Sequence, residues 1–159
     1  MNCLSFDVGG TTVKYGVVDK SFEVLKKDKI PTPDNEEKFI DSLSNIIQDN
    51  LPNVSKVSVA MPGYVNSANN KYLYGPHLQF DIDFSKLLNF TDYEFHLDND
   101  GNVAAYCEYF LNYKDKYSNL IMLTFGTGVG GGIISDGRLL RGRGNAGEIG
   151  HMLTSNDRE

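Results

Sequence analysis

Two short glycine-rich segments of the 159-residue chain have the composition of phosphate-binding turns. The first, Asp7-Val-Gly-Gly-Thr-Thr12, follows an apolar strand, and its two glycines present consecutive backbone N–H groups with no Cβ in the way. The threonines add hydroxyl donors, and the aspartate carboxylate suits the water shell of Mg²⁺. Taken alone, this segment fits an ordinary hairpin turn equally well. The candidate phosphate ligands are Asp7, Gly9, Gly10, Thr11 and Thr12.

The second segment, Gly126-Thr-Gly-Val-Gly-Gly131, fits the pattern G-x-G-x-x-G. In a dinucleotide-binding fold this pattern opens a helix. Here it runs into Ile133-Ile134 and an Asp136-Gly137 turn, which predict a β-hairpin. No lysine follows at the position that a Walker loop requires. The segment therefore predicts a phosphate-cradling β-turn and argues against dinucleotide binding.

Short polar residues, Asp98-Asn-Asp-Gly-Asn102, stand at the start of a predicted helix. Such residues often serve as caps, because they satisfy the free N–H groups of the first turn. The functional alternative is that Asp100 acts as a general base while Asn99 positions a hydroxyl group. Phosphoryl transfer to an alcohol needs a carboxylate of this kind to accept the proton.

Three side chains, Asn145, Glu148 and His151, recur at every third residue of a glycine-rich segment near the end of the chain. Between them, amide, carboxylate and imidazole groups accept and donate hydrogen bonds, as recognition of the vicinal hydroxyls of a neutral sugar requires. The alternative is a solvated glycine-rich loop. No role is assigned to Arg141, Arg143, His77 or His96.

The order of predicted elements is typical of an α/β fold. The pattern of strands begins again near residue 118, as in a duplicated fold, and this is called the restart below. Asp34 and Glu37 resemble a capping box at the start of the first helix. The third helix is predicted to bury Val103, Tyr106, Cys107, Phe110 and Leu111. The predicted strands are 3–8, 12–18, 22–30, 54–60, 93–97, 120–125, 129–135 and 139–140, with a hairpin over 64–75 that turns at Asn69-Asn70. The predicted helices are 35–50, a short one around 84–88, and 99–112.

The composition is that of an ordinary soluble globular protein, with 40% hydrophobic and 23% charged residues. A formal net charge of −6 disfavours nucleic acid or an anionic membrane surface as the main partner. The two cysteines, Cys3 and Cys107, are expected to be buried thiols in a reducing compartment. We see neither a signal peptide nor an apolar run of the roughly 20 residues that a membrane span needs. A cytoplasmic protein is therefore expected.

Together and in this order, these segments resemble those of the ROK family (repressor, open reading frame, kinase). The resemblance also rests on Ala60-Met-Pro-Gly63 and covers nearly the whole chain. Enzymes of the family are ATP-dependent sugar kinases similar to bacterial glucokinase and N-acetylmannosamine kinase. The resemblance implies an actin-like, ribonuclease H-like fold of two lobes that close on a cleft. Residues 1–117 would form the first lobe, and 118–159 the incomplete beginning of the second.

The same resemblance implies a role for each matching residue. Asp100 would deprotonate the sugar hydroxyl, and Gly63 would shape the sugar pocket. Phosphate would be bound by Gly9, Gly10, Thr11 and Thr12 in the first lobe and by Thr127 and Gly128 in the second. The sugar would be held by Asn99, Glu148 and His151. The last two belong to the every-third-residue pattern described above, whose third member, Asn145, is also a candidate sugar ligand.

Two departures from the family pattern concern one residue and the length of the chain. Gly101 stands where the family more often has alanine. Family kinases are considerably longer, and many carry a zinc site formed by the histidine equivalent to His151 and three later cysteines. The chain stops at Glu159, before those cysteines, so His151 is only a candidate zinc ligand.

The leading hypothesis is an ATP-dependent hexose kinase, or the N-terminal half of one, with ATP and Mg²⁺ as cofactors. The alternative is a non-catalytic, sugar-binding or regulatory ROK protein. A DNA-binding repressor is disfavoured, because Met1 begins at the first strand and leaves no room for a helix-turn-helix. The apolar strands after residue 118 would need a partner surface, for which a second copy of the chain is one candidate. The residues leave open which sugar is used.

Overall fold

A computed structural model of the protein describes residues 2–75, 77–89, 91–126 and 128–152. The chain divides into two compact units, Met1–Asp100 and Gly101–Glu159. The lobe boundary predicted between residues 117 and 118 stays a prediction.

The first unit combines a large sheet, a small sheet and a long helix. Its strands are β1 (Cys3–Val8), β2 (Thr12–Val18), β3 (Val24–Pro31), β4 (Lys56–Met61), β5 (Tyr64–Asn66), β6 (Lys71–Tyr74), β7 (Ile82–Asp83) and β8 (Glu94–Asn99). Its helices are α1 (Glu36–Asn50) and the short α2 (Phe84–Leu87). The predicted strands and helices of this part of the chain are confirmed to within a few residues at their ends.

The large sheet has the strand order β3-β2-β1-β4-β8. Strands β1, β4 and β8 run parallel, and β2 and β3 pair antiparallel to their neighbours. In register, Asp7 lies opposite Ala60, which in turn lies opposite Asp98. Because the three central strands are parallel, their carboxyl ends meet at one edge of the sheet.

Alternation along the central strands separates a buried face from a polar one. On β1, Leu4, Phe6 and Val8 are buried, whereas the residues between them are half-buried or exposed. The buried face forms one hydrophobic cluster with the apolar stripe of α1, which includes Phe39 and Leu43. Burial of these large side chains is the main stabilising contribution to the unit.

The start of α1 differs by one residue from the predicted capping box. Asn35 is the N-cap, and its side-chain oxygen accepts a hydrogen bond from the backbone N–H of Lys38 at 3.0 Å. Asp34 instead pairs with the ammonium group of Lys38 at 2.9 Å. That hydrogen bond from Lys38 lowers the pKa of the Asp34 carboxyl below its ordinary value. The capping box of Asp34 and Glu37 was wrong because Asn35, in extended conformation, reaches the third N–H first.

Strands β5, β6 and β7 form the small sheet, and Asn70 turns the predicted hairpin with a left-handed φ of 52°. The side chain of Tyr72 on β6 is fully buried in it. Its hydroxyl donates to the backbone oxygen of Leu78 at 3.4 Å. Burial raises the pKa of Tyr72 from an ordinary 10.0 to about 12.

This buried tyrosine predicts a loss of stability at high pH. Below its ordinary pKa of 10.0, Tyr72 is protonated in both states and its contribution is fully present. As the pH rises toward the folded-state pKa of about 12, the unfolded chain releases the proton first, so the free energy of unfolding falls. Tyr72→Phe should show a smaller fall in urea denaturation between about pH 9 and about pH 11. An equal fall in both proteins would contradict the assignment.

The second unit contains most of α3 (Asp100–Glu108), whose first residue belongs to the first unit, and a π-helical turn over Tyr109–Tyr113. Its strands are β9 (Leu120–Phe125), β10 (Val129–Ser135) and β11 (Arg138–Leu139), in the order β11-β10-β9. Asp136 and Gly137 have φ angles of 51° and 74°, so the predicted hairpin turn is confirmed. The order β11-β10-β9 repeats the order β3-β2-β1 of the first unit, as the predicted restart requires.

The buried face of α3 differs from the predicted one. The buried residues are Gly101, Asn102, Ala105 and, in the π-helical turn, Tyr109. Helix α3 packs closely on β10, because a Cβ on Gly132 would lie only 2.5 Å from the Cβ of Ala105. Such close packing selects small residues, so the larger apolar side chains lie on other faces.

The predicted apolar face of α3 is therefore largely in solvent. Val103, Tyr106 and Leu111 are 41%, 45% and 49% exposed. Cys107 is also exposed, so its prediction as a buried thiol was wrong, whereas Cys3 is half-buried. Both cysteines are free thiols. None of the helices in the described residues has the length and apolar character that a membrane span requires.

Candidate active site

Three loops that carry candidate functional residues follow the three parallel strands of the large sheet. Gly9 follows β1, Gly63 follows β4 after one intervening residue, and Asp100 follows β8 directly. Their strands end at the same edge of the sheet, where open α/β sheets bind their ligands. This edge, which lies entirely within the first unit, is the candidate active site.

The turn after β1 is braced through its carbonyl groups by Thr32. The Thr32 hydroxyl donates to the backbone oxygen of Gly9 at 2.7 Å, and its N–H donates to that of Thr11 at 3.0 Å. Within the turn, the N–H of Gly9 donates to the backbone oxygen of Thr12 at 3.0 Å. No described residue accepts a hydrogen bond from the N–H groups of Gly10 and Thr11. Two consecutive uncommitted N–H groups have the chemistry of an anion site.

The Thr32 brace gives a prediction with matched variants. Thr32→Val keeps the shape but removes the hydroxyl, so we expect affinity of the turn for inorganic tripolyphosphate to fall about three- to tenfold, the worth of one hydrogen bond. Thr32→Ser keeps the hydroxyl and should bind tripolyphosphate nearly as the unsubstituted protein does. Calorimetric titration with tripolyphosphate measures both. Equal affinities for the valine and serine variants would contradict the bracing role.

Asp7 lies on the polar face of β1, near the turn after that strand (residues 9–11), which is called the phosphate turn below. Its carboxylate is 3.6 Å from the ammonium group of Lys14, and the two side chains are 61% and 70% exposed. An ion pair this exposed contributes little free energy. The Lys14 ammonium therefore does not compete strongly with a metal-bound water for the Asp7 carboxylate. Mg²⁺ usually takes one or two carboxylates together with substrate phosphates. The chemistry of Asp7 therefore fits a hydrated magnesium ion held mainly by a nucleotide.

The loop after β4 is tied to the end of β8 by a hydrogen bond. The side-chain amide of Asn99, which is only 6% exposed, donates to the backbone oxygen of Gly63 at 3.0 Å. Gly63 has a φ of +92°, and a Cβ there would lie 2.6 Å from both the Cα of Gly75 and the backbone oxygen of Tyr74. Only glycine fits this position. The two residues, both predicted to serve the sugar, are thus in contact.

Asp100 immediately follows this buried asparagine as the first residue of α3. Its side chain is exposed, whereas Asn99 is buried. Strand β8 thus ends with the amide side chain turned toward the loop after β4, and an exposed aspartate follows it. A candidate general base must be reachable in this way.

In the second unit, the glycine-rich segment that carries Asn145, Glu148 and His151 lies along β10. A Cβ on Gly131 would be 3.3 Å from Cδ1 of Ile149, and a Cβ on Gly150 would overlap the backbone oxygen of Val129. A Cβ on Gly147 would likewise lie 2.7 Å from the backbone oxygen of Gly131, so Gly147 and Gly150 let this segment approach the strand closely.

The polar residues between those glycines are partly brought together. Glu148 is half-buried, and its carboxylate lies 3.9 Å from Nε2 of the exposed His151. Asn145 is exposed, and its backbone oxygen accepts from the N–H of Glu148 at 3.1 Å. Among the residues that the structure describes, His151 belongs to no cluster of three metal-ligating groups, so its zinc role stays a prediction.

The second phosphate-suited turn joins β9 to β10. The N–H of Gly126 donates to the backbone oxygen of Gly128 at 2.9 Å. A turn between antiparallel strands confirms that this G-x-G-x-x-G segment opens no helix. Thr127 lies outside the described residues. Gly128 is exposed, and a Cβ there would meet nothing within 4 Å.

Comparison with known proteins identifies the family of the chain. The model of the ROK family matches residues 3–159. The chain belongs to the ROK family. An N-acetylmannosamine kinase from Haemophilus influenzae is 36% identical over an alignment of 160 positions, which covers 96% of this chain and 53% of that protein. A glucokinase from Streptomyces coelicolor is 31% identical over an alignment of 154 positions, which covers 94% of this chain and 49% of that protein.

A solved ROK structure extends the similarity to the fold. The ROK family glucokinase from Streptomyces griseus, in complex with glucose and AMPPNP, matches with a TM-score of 0.84 and 30% identity. The match covers 99% of this chain and 52% of that one. The predicted actin-like ATPase fold is confirmed, since ROK sugar kinases have this fold. The chain spans about half the length of the curated ROK relatives that it matches.

Two residues at the phosphate turn of this ROK chain were missed from the sequence. Thr32 braces the turn, and the ring of His77 packs against Gly10. The prolines on either side of Thr32, which favour extended backbone, were the one local signal available. His77 had no local signal, because its contact joins segments far apart in the sequence.

Proposed function

We propose that this chain carries the phosphate-binding and sugar-binding groups of an ATP-dependent hexose kinase. The observation that carries the proposal is the convergence of three loops at one edge of the large sheet. They supply the uncommitted N–H groups of Gly10 and Thr11, the Asn99–Gly63 contact and the exposed Asp100. The ROK relatives, which include a glucokinase and an N-acetylmannosamine kinase, favour a sugar as the acceptor.

In this proposal, Asp100 accepts the proton of the sugar hydroxyl while the sugar oxygen attacks the γ-phosphorus of ATP. The new bond joins the sugar oxygen to phosphorus, the bond to the β-phosphate oxygen breaks, and ADP leaves. Asn99 orients the acceptor, because its hydrogen bond to Gly63 fixes the amide plane.

Phosphate binding is assigned to the glycine turns and sugar binding to the polar residues. The nucleotide phosphates bind Gly9, Gly10, Thr11 and Thr12, with Thr127 and Gly128 of the second turn. Asn99, Asn145, Glu148 and His151 bind sugar hydroxyls, and Gly63 shapes the sugar pocket. Asp7 would help to hold the water shell of Mg²⁺, which would supply charge neutralisation for the phosphates.

The test is a coupled ADP-release assay on the purified protein. Glucose, fructose, mannose and N-acetylmannosamine are offered separately. We expect ADP formation that depends on at least one sugar. Binding of a sugar without ATP binding or ADP release would contradict the proposal and favour a sugar-binding regulator instead.

A further inference from the structure

The imidazole of His77 lies against the phosphate turn. A Cβ on Gly10 would be 2.6 Å from Cγ of His77 and 3.0 Å from its Nδ1. The ring therefore packs on the bare Cα of Gly10, where any side chain would displace it. Both residues belong to the first unit, so the contact is internal to one compact body.

The His77 side chain is exposed, and its ring has no hydrogen-bond or ion-pair partner among the described residues. His96, the other histidine of the same unit, differs in this respect, since its Nε2 lies 2.8 Å from the carboxylate of Glu94. A histidine held against a glycine turn with its nitrogens uncommitted has donor capacity that the fold itself does not use.

Three uncommitted donors are thus close together: the N–H groups of Gly10 and Thr11, and the ring N–H of His77. The carboxylate of Asp7, near this turn, is itself paired with the Lys14 ammonium. An anion at the turn therefore meets donors from two separate segments. Neighbouring donors of this kind at a glycine turn are suited to recognise phosphate oxygens.

We propose that His77 is a direct ligand of the phosphate bound at the turn after β1, donating a ring N–H to a phosphate oxygen. The ligand class is the polyphosphate portion of a nucleotide. This inference rests on the proposed function only for the identity of the nucleotide. Binding of an inorganic polyphosphate tests the role of His77 without a nucleotide or a sugar.

The probe is inorganic tripolyphosphate, titrated into the chain by calorimetry and by amide NMR. We expect the Gly10 and Thr11 amide signals and the His77 ring signals to shift together. His77→Phe keeps a ring of similar size without the N–H, and should weaken binding about tenfold, as loss of a charge-assisted hydrogen bond implies. His96→Gln, at an exposed histidine paired elsewhere, is the matched control and should bind as the unsubstituted chain does. If the phenylalanine variant loses its folded NMR spectrum, His77→Ala serves in its place.

Three outcomes would overturn the inference. The first is that the chain does not bind tripolyphosphate, the second that the His77 variant binds tripolyphosphate with unchanged affinity, and the third that the variant loses affinity for sugar alone. The proposed function fails separately. His77-dependent tripolyphosphate binding without any sugar-dependent ADP release refutes the kinase proposal alone. Sugar-dependent ADP release with an unchanged KM for ATP after His77→Phe refutes the His77 assignment alone.

Discussion

Asp100→Asn should lower the kcat for sugar phosphorylation by about 10²- to 10⁴-fold, the usual contribution of a positioned general base. This corresponds to about 3–5 kcal/mol of activation free energy. Asparagine has nearly the same shape and still forms hydrogen bonds, but it cannot accept the proton of the hydroxyl. We therefore expect the KM values for sugar and ATP to change little. Steady-state kinetics on the purified protein measures both quantities.

The matched control for this substitution is Asp115→Asn, which removes an exposed carboxylate beyond the same helix. It should leave kcat unchanged, because nothing places Asp115 at the sheet edge. The assigned role of Asp100 is wrong if its asparagine variant turns over within about threefold of the unsubstituted enzyme, far less than a lost base implies.

Gly63→Ala should lower the free energy of unfolding by about 2–4 kcal/mol, since a strained backbone and a steric overlap add together. The φ of +92° disfavours any Cβ, and that Cβ would lie 2.6 Å from the backbone of Gly75 and Tyr74. Relief of the overlap would move the loop and break its hydrogen bond to Asn99. We therefore also expect weaker sugar binding by the fraction that remains folded.

The control is Gly126→Ala, because a Cβ at Gly126 would meet nothing within 4 Å and its φ is not left-handed. Urea denaturation of both variants gives the comparison of stability, and calorimetry with the accepted sugar gives the comparison of binding. A Gly63→Ala protein as stable as Gly126→Ala would show that the loop adapts, and that this glycine is not structurally required.

Much of the fold could be predicted because the relevant signals are local. Alternation along β1 and β4 marks the strands, and the Asp136-Gly137 pair marks a hairpin whose φ angles are positive. The parallel pairing of β1, β4 and β8 is a long-range property. It entered only through the family resemblance.

The errors have a common physical origin in packing that no hydrophobic pattern encodes. Helix α3 was assigned its most apolar face as the buried one. The actual contact runs through Ala105 on Gly132, where close approach of the backbones matters more than side-chain area. A buried Asn102 in the same face would never be selected by hydrophobicity.

The candidate site shows the same division between local and long-range information. Asn99 and Asp100 were recognisable because short polar residues stand at the start of a predicted helix, whereas Gly63 entered only through the family resemblance. Thr32 and His77 reach the phosphate turn from distant segments, so their roles appear only when those segments are brought together. Sequence reasoning thus found the residues at the strand ends and missed the residues that support them.

The central claim is that a phosphoryl group passes from ATP to a sugar hydroxyl, and ³¹P NMR of the reaction mixture tests it most directly. The purified protein is incubated with Mg²⁺, ATP and the sugar that stimulates ADP release. We predict that the ATP signals are replaced by those of ADP and of a phosphate monoester in equal amounts, and that omitting the sugar stops the reaction. Release of orthophosphate in place of the ester, at a rate independent of sugar, would contradict the account.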